Sequence, residues 1–574
     1  MNMIKFPREL SVITVAFLLI VIVKIAISFY FAGPQSLPDA TEYDYMAQSI
    51  LDGTFMESVP SGDHFPPGYS FLISLAYLFG TDKVLIYHTQ LIINAIIAAL
   101  IIFPSYCILR DWCSKEIAIC GSIIVATLPA ISAYTGLLMS ENLFLPLTVF
   151  ALYFIYRSFS EDNEGYLFSV LAGLSIFYLV FTRFTGLAMV IALIVGFMVH
   201  LYLQKKSGKN ARTALQYTWP ALACCFIPLI IWRLFISINK NTLLPFTGTD
   251  SMISNTLETA TTNFFEVVRV VVLQVDYVLL SSYIVFAVLA MYAMATLLSR
   301  PSHITEYLPN KCKSRSDSLC IMAVITPTLI FLLALLPMPN LIANHPYLHG
   351  RYFDPIIPLV FIFGIIGLQA IANQPSTIKN RSSILLIGAS ILVSICTLTL
   401  FSWNTHFDAL QNASLLYLFQ FESFIAILII VGMFGFLFPI IVTMCKHIQI
   451  MRLFLSMIIL LNCMIAVPLY QTEIQFSNNF DNVGVIGKVI QYNIDPEAVI
   501  IWDSSSLESP WNVFMYALID YWIVNDFRSI HLANSASSGD YSALEGGDYI
   551  ITALAGSTEP LYISPSGLAL YSLR

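Results

Sequence analysis

Charge is what this chain has least of. Asp, Glu, Lys and Arg make up 11% of its 574 residues against 57% hydrophobic ones, a balance far from that of water-soluble domains, so the chain reads as a polytopic membrane protein. A basic patch is missing as well. The acids and bases are segregated along the chain, and the net charge of -8 carries no message about nucleic acid. Of the ten cysteines, Cys107, Cys120, Cys224, Cys225, Cys320, Cys396 and Cys463 fall in apolar runs and none follows Cys463. That spacing excludes a disulfide framework and a zinc site and leaves packing as their role. There is no internal repeat or low-complexity segment, and the stretch after Tyr470 holds no Gly-rich phosphate loop. The spans are nearly free of charge at mid-depth, since Lys24, Arg233, Asp276, Asp354 and Glu422 all fall toward outer ends. This weighs against an ion pump or coupled transporter, which would place carboxylates or broken helices near the midplane.

What is present is a series of apolar runs near 10–32, 85–109, 116–136, 139–158, 166–182, 184–203, 214–238, 276–298, 318–337, 353–373, 383–402, 421–444 and 452–470. Each can cross the hydrocarbon layer, which predicts about thirteen transmembrane helices. The first run lacks a small-residue cleavage site and reads as a retained span, with Lys5 and Arg8 placing the N-terminus in the cytoplasm. Alternate connections carry Arg110 and Lys115, Arg157, Lys205 to Arg212, Arg300 to Arg315, Lys379 and Arg381, and Lys446 and Arg452; the opposite face has only scattered Lys83, Arg183, Lys240, Arg269 and Arg351 before the tail. An odd number of spans satisfies this bias throughout and puts the C-terminus outside. The expected organisation is a transmembrane module over 1–470 and an extracytoplasmic α/β domain over 471–574, with strands at Ala498–Trp502, Asp548–Thr552 and Leu568–Leu573 and a helix at Trp511–Val524.

The outer connections near 33–84, 239–275, 338–352 and 403–420 are the long ones, so function is expected outside. In the first, Tyr43, Ala47, Ile50 and Leu51 share one face of a short interfacial helix, Phe65-Pro66-Pro67-Gly68 breaks the chain, and Tyr69–Phe79 is too short to span. A second interfacial helix is expected over Asn255–Val272.

Polar residues gather at this boundary. The first loop supplies Asp39, Glu42, Asp44, Asp52, Glu57, Asp63 and His64; later outer turns supply Glu141 in Ser140-Glu141-Asn142, Arg183 in Thr182-Arg183-Phe184, and His345, His349, Arg351 and Tyr352 before the tenth span. A carboxylate at a water–membrane boundary can serve as general base toward an acceptor hydroxyl, and a second can orient it or hold a divalent cation. An arginine can neutralise a phosphate leaving group. The bland alternatives are solvated loop acids, arginines snorkelling to lipid head groups, and histidines of an ordinary polar loop.

Asp39-Ala40-Thr41-Glu42-Tyr43, then Gly53, Phe65-Pro66-Pro67-Gly68-Tyr69 and Phe79-Gly80, resemble the first outer loop of the GT-C membrane glycosyltransferases, of the protein O-mannosyltransferase and lipid A aminoarabinose transferase type. Ser140-Glu141-Asn142 and Gly350-Arg351-Tyr352-Phe353-Asp354-Pro355 agree in order and sidedness. The resemblance implies a GT-C-like fold and an inverting transferase that passes a sugar from a polyprenyl-phosphate donor to a lipid-linked, glycan or protein acceptor. It would work at the outer face of a cell or inner membrane. It implies Asp39 as catalytic base and Glu141 as the second acid. Ala40 replaces an acid common in the family, so the supporting carboxylate falls to Glu42 or Asp44, or is absent, and a divalent metal ion stays open. Arg351, Arg183 and Lys83 are the candidates for the donor phosphate. His64 (one position displaced from a family His-Pro-Pro run), Tyr352 and His349 complete the outer-face set. Two other classes compete: a transporter or flippase of lipid-linked sugars, and a non-catalytic assembly protein that keeps the fold.

Overall fold

The computed structural model describes residues 8–34, 38–55, 65–158, 165–206, 211–240, 264–299, 316–335, 350–373, 387–395, 414–415 and 448–494, together with 498, 500–502, 519, 522, 549–552, 560–563 and 568–572. Among them six helices are long and apolar enough to cross a membrane, seven if one sharply bent pair is a single span. The expected span 421–444 lies outside the described residues, and of 383–402 only 387–395 is described.

The apolar runs do not all fold as single rods. After α1 (Arg8–Ser28), α2 (Pro38–Asp52) and α3 (Gly68–Ile73, continued by a 3-10 turn over Ser74–Phe79), the run expected at 85–109 forms α4 (Lys83–Ala99) and α5 (Ile102–Trp112). Pro104 accounts for that break, because it cannot donate to the Leu100 carbonyl and its ring crowds it. The run at 116–136 forms α6 (Lys115–Ala126) and ends early; Pro129 then opens the single-turn α7 (Pro129–Ser132) at its first position, where a fixed φ costs nothing. Next come α8 (Glu141–Ser158), α9 (Gly165–Thr182), α10 (Leu187–Lys206) and α11 (Ala211–Lys240).

The second interfacial helix and the span expected at 276–298 divide differently from the sequence reading. The chain forms α12 (Phe264–Ser281) and α13 (Val285–Ser299), bent by 103°, and residues 255–263 are outside the described set. No Pro or Gly marks the bend. Tyr283 and Ile284 adopt φ of 54° and 51°, which local propensity opposes. Tertiary contacts hold them there: the Tyr283 hydroxyl donates to Asn462 Oδ1, and its ring meets Phe361 edge-on at 5.5 Å. The helices α14 (Ser316–Leu335) and α15 (Ile356–Ala372) follow.

The last long helix, α16 (Ile448–Asn493), has 46 residues and passes Tyr470, where the composition changes, without a break. At 1.5 Å per residue it extends about 70 Å. Its far end, through Ile486 and Ile490, packs on Ile500, Trp502, Ile551 and Leu570. Those residues belong to a small sheet of order β1-β2-β4-β3, formed by β1 (Ile500–Trp502), β2 (Tyr549–Thr552), β3 (Tyr562–Ile563) and β4 (Ala569–Ser572). β1 and β2 are parallel and the other pairs antiparallel. Three of these strands coincide with expected ones; β3 was not expected. Within the expected helix 511–524 only Ile519 and Trp522 are described.

The packing that positions the first loop is aromatic. Tyr43 and Ala47 of α2 are buried with Tyr69, Ile73 and Leu143, and the Tyr43 ring meets Phe65 and Tyr69 at 5.1 Å each. Each such ring contributes about 1.5–3 kcal/mol on burial. Together they hold the amphipathic α2 face-down on α3 and the start of α8. Gly68 fixes the other half of the loop. A Cβ there would lie 2.6 Å from the Phe181 carbonyl oxygen, and Tyr178 Oη donates to the Gly68 carbonyl at 2.9 Å, so the loop sits directly on the end of α9.

The stretch between α7 and α8 is non-helical and buried, so its carbonyls must find partners inside the protein. Asn142 Nδ2 donates to the carbonyls of Tyr134, Leu137 and Met139, Asn94 Nδ2 also reaches Leu137, and Lys24 Nζ reaches Ile131. A rigid platform therefore ends at Ser140 and Glu141.

Candidate active site

Asp39 and Tyr43 lie one helical turn apart on α2 and so share a face. Each meets a different arm of one polar ring. Asp39 Oδ2 accepts from Arg351 Nη1 at 2.8 Å, with the two side chains 18% and 10% exposed. Both guanidiniums approach the Tyr352 ring, with Arg351 Cζ 5.2 Å and Arg183 Cζ 5.4 Å from its centroid. Arg183 Nη1 stands 2.5 Å from Glu141 Oε1 and donates to Ser140 Oγ at 3.0 Å. The Tyr43 hydroxyl donates to the same Ser140 Oγ at 3.0 Å, which closes the ring back on α2.

Helix ends make this convergence. Glu141 opens α8, where a carboxylate suits the positive end of the helix dipole, and it is almost wholly buried. Arg183 occupies the extended residue between α9 and the short turn Phe184–Gly186, and Arg351 the turn Gly350–Tyr352 ahead of α15. Burial works against the charge on Arg351, and Asp39, Tyr352 and Glu141 outweigh it, holding the guanidinium firmly protonated. For Arg183 the burial cost is likewise exceeded, chiefly by Glu141. One donor stays unmet: among the described residues, Arg351 Nε is buried with no hydrogen-bond partner.

A likeness to known structures follows this geometry. ArnT from Cupriavidus metallidurans, bound to undecaprenyl phosphate, matches with a TM-score of 0.56 at 13% identity, over 91% of this chain and 86% of that one. The fold is that of the GT-C membrane glycosyltransferases. At this identity the likeness establishes the GT-C fold alone. The same enzyme in its apo state gives 0.47 at 13% identity over 91% and 86% of the two chains. The oligosaccharyltransferase AglB from Archaeoglobus fulgidus, in complex with an inhibitory peptide and a dolichol-phosphate, gives 0.42 at 13% over 95% and 69%. The dolichyl-phosphate-mannose-protein mannosyltransferase family matches residues 64–232. No curated protein matches the chain in sequence.

Within this GT-C frame the candidates named from sequence separate into groups. Asp39, Glu141, Arg183, Arg351 and Tyr352 come together. Asp44 and Lys83 are drawn into a different network on another side of α2: Lys83 Nζ pairs with Asp44 Oδ2 at 2.9 Å, while Tyr77 Oη and Gln90 Nε2 donate to Asp44 Oδ1 at 2.7 and 2.6 Å. Glu42 is exposed beside the ring. Partial desolvation, with the charge of Asp39, pushes its carboxyl up to about 7. His64 and His349 lie outside the described residues. As for the divalent ion left open by Ala40, no three His, Cys, Asp or Glu side chains gather to hold one among the described residues, and Asp39 and Glu141 are each engaged by an arginine.

Ser140 and Tyr43 were not singled out as site residues from sequence, nor was Asp354. Ser140 was adjacent to a named acid. Tyr43 stands at helical spacing from Ala47, a pattern that reads as packing. Asp354 was visible as a charge toward the end of a span and as part of its motif.

Proposed function

We propose that this chain transfers a sugar from a polyprenyl-phosphate donor to a lipid-linked, glycan or protein acceptor at the outer face of the membrane, with inversion at the anomeric carbon. The observation that carries this reading is the Asp39–Arg351 pair with its unmet Nε–H. A buried guanidinium donor without a partner costs about 1–3 kcal/mol or more, and a phosphate oxygen would satisfy it with a strong charge-assisted bond. Orientation follows the distribution of basic residues: about thirteen spans, the N-terminus cytoplasmic and the C-terminal domain outside.

In the resting arrangement Arg351 Nη1 occupies Asp39 Oδ2, so that oxygen is not free to reach an acceptor hydroxyl. A donor phosphate competes for the guanidinium, with Arg183 at the same Tyr352 ring, and releases the carboxylate. Asp39 then takes the proton of the acceptor hydroxyl as that oxygen bonds to the anomeric carbon. The bond from that carbon to the phosphate oxygen breaks with its electron pair, and the arginines stabilise the departing charge. Glu141 holds Arg183 in place. Lys83, committed to Asp44, supports the loop rather than the phosphate. The apolar, nearly charge-free spans hold the polyprenyl chain in lipid while chemistry proceeds at the boundary.

The test is Asp39→Asn in purified protein in lipid nanodiscs, supplied with its co-purifying lipid-linked sugar. The variant should retain undecaprenyl phosphate binding while sugar transfer falls by about 10²–10⁴-fold. Near-normal transfer would refute the assignment.

A further inference from the structure

Three residues beyond Arg351, Asp354 is fully buried. Its two carboxylate oxygens accept hydroxyl bonds from Tyr134, Tyr277 and Ser414, and among the described residues no salt bridge reaches it. A carboxylate buried among hydroxyls is expensive, and apolar packing at such a place would be more stable. The three donors come from segments 220, 77 and 60 residues away in sequence, so the carboxylate is a joint between remote parts of the chain.

Two further contacts show what the joint holds. The Tyr277 ring occupies the space beside Gly350 so closely that a Cβ there would lie 2.1 Å from Cε2. Tyr277 thus grips both ends of the 350–354 turn, with its ring on Gly350 and its hydroxyl on Asp354, and Arg351 projects between them. On the other side, the Tyr134 carbonyl accepts from Asn142 Nδ2 at 2.6 Å, and Asn142 adjoins Glu141 in the chain. Asp354 therefore ties the turn carrying Arg351 to the platform that ends in Glu141.

We propose that Asp354 is a positioning residue: by drawing the hydroxyls of Tyr134, Tyr277 and Ser414 onto one carboxylate, it sets the spacing between the Asp39–Arg351 and Glu141–Arg183 halves of the ring. Its effect on ligand binding rests on the reading that the ring holds a lipid phosphate; the placement of Arg351 does not.

The experiment combines two readouts on the full chain in nanodiscs. The first is a double-mutant cycle in thermal stability between Asp354→Ala and Arg351→Ala, without ligand. Coupled losses are expected, because displacing Asp354 already loosens Arg351 from Asp39; additive losses would overturn the proposal. The second is affinity for undecaprenyl phosphate, with Asp354→Asn and Tyr277→Phe as milder variants in case Asp354→Ala does not fold. Each should weaken binding by about three- to tenfold per folded molecule. Wild-type affinity in folded variants would also overturn it. A merely structural residue would lower stability while leaving that affinity unmoved. If the wild-type protein binds no undecaprenyl phosphate, the phosphate reading fails and the ligand-free cycle decides the positioning role alone.

Discussion

Helix α2 carries two acid–base pairs, Asp39 with Arg351 and Asp44 with Lys83, and they differ in how completely they are satisfied. Asp44 takes three donors, from Lys83, Tyr77 and Gln90, and lies only 3% exposed against a Lys83 side chain at 5%. This network is closed. Asp39 meets one guanidinium whose Nε–H has no partner among the described residues, with a second guanidinium at the same aromatic ring. That network is left with one unmet donor. Two pairs with similar chemistry on one helix thus differ in saturation: the saturated pair fixes α2 to α4, and the unsaturated one is the pair proposed to exchange partners with a phosphate.

The sharpest way to break the comparison is to remove one acid from each pair. Asp39→Asn should cost transfer about 10²–10⁴-fold while changing the unfolding temperature little. Asp44→Ala should do the opposite, destabilising the protein by about 3–5 kcal/mol because the buried Lys83 charge loses its carboxylate partner. Activity would then fall in step with the folded fraction, measured by thermal unfolding alongside turnover. If Asp44→Ala abolished turnover in fully folded protein, the division between the pairs would be wrong.

A smaller effect is expected from Arg351→Lys, which keeps the charge but loses the planar fork and Nε–H. Donor affinity should fall about tenfold, read as a rise in KM. An unchanged KM would move the phosphate site to Arg183.

The smallest effect concerns Glu42. Its carboxyl is pushed up to about 7 from the ordinary value of 4.5, so between those values the folded state binds the proton that the unfolded state has released. Stability from this group is therefore full below pH 4.5 and declines as pH rises to about 7. Solvent exposure keeps the effect to about 1 kcal/mol or less. Glu42→Gln should flatten the dependence of unfolding temperature on pH across that window, and an unaltered slope would show that Glu42 is not its source.

Much of this cluster was legible in the sequence because its charged members sit at the ends of apolar runs that the pattern of basic loops assigns to one side of a membrane. Asp39, Glu141, Arg183 and Arg351 needed only alternation of basic loops to be placed at the same boundary. The polar joint beneath them was not legible. Tyr134 lies inside an apolar run, Tyr277 at the edge of another, and their bonds to Asp354 span long stretches of chain that no local pattern links. Helix continuity failed as a sequence signal for similar reasons. Pro104 and Pro129 left readable marks on two breaks, but the bend at Tyr283 and Ile284 has none, since packing against Phe361 and Asn462 overrides propensity there. At Tyr470 the difference runs the other way: hydropathy ends while helical backbone does not.

The exchange of partners at Arg351 is the central claim, and one equilibrium measurement tests it directly. Undecaprenyl phosphate binding to nanodisc-embedded wild type, Asp39→Asn and Arg351→Ala should be retained or tighter in Asp39→Asn, where the guanidinium loses its competing carboxylate, and at least about tenfold weaker in Arg351→Ala. Wild-type affinity in a folded Arg351→Ala protein would contradict the account.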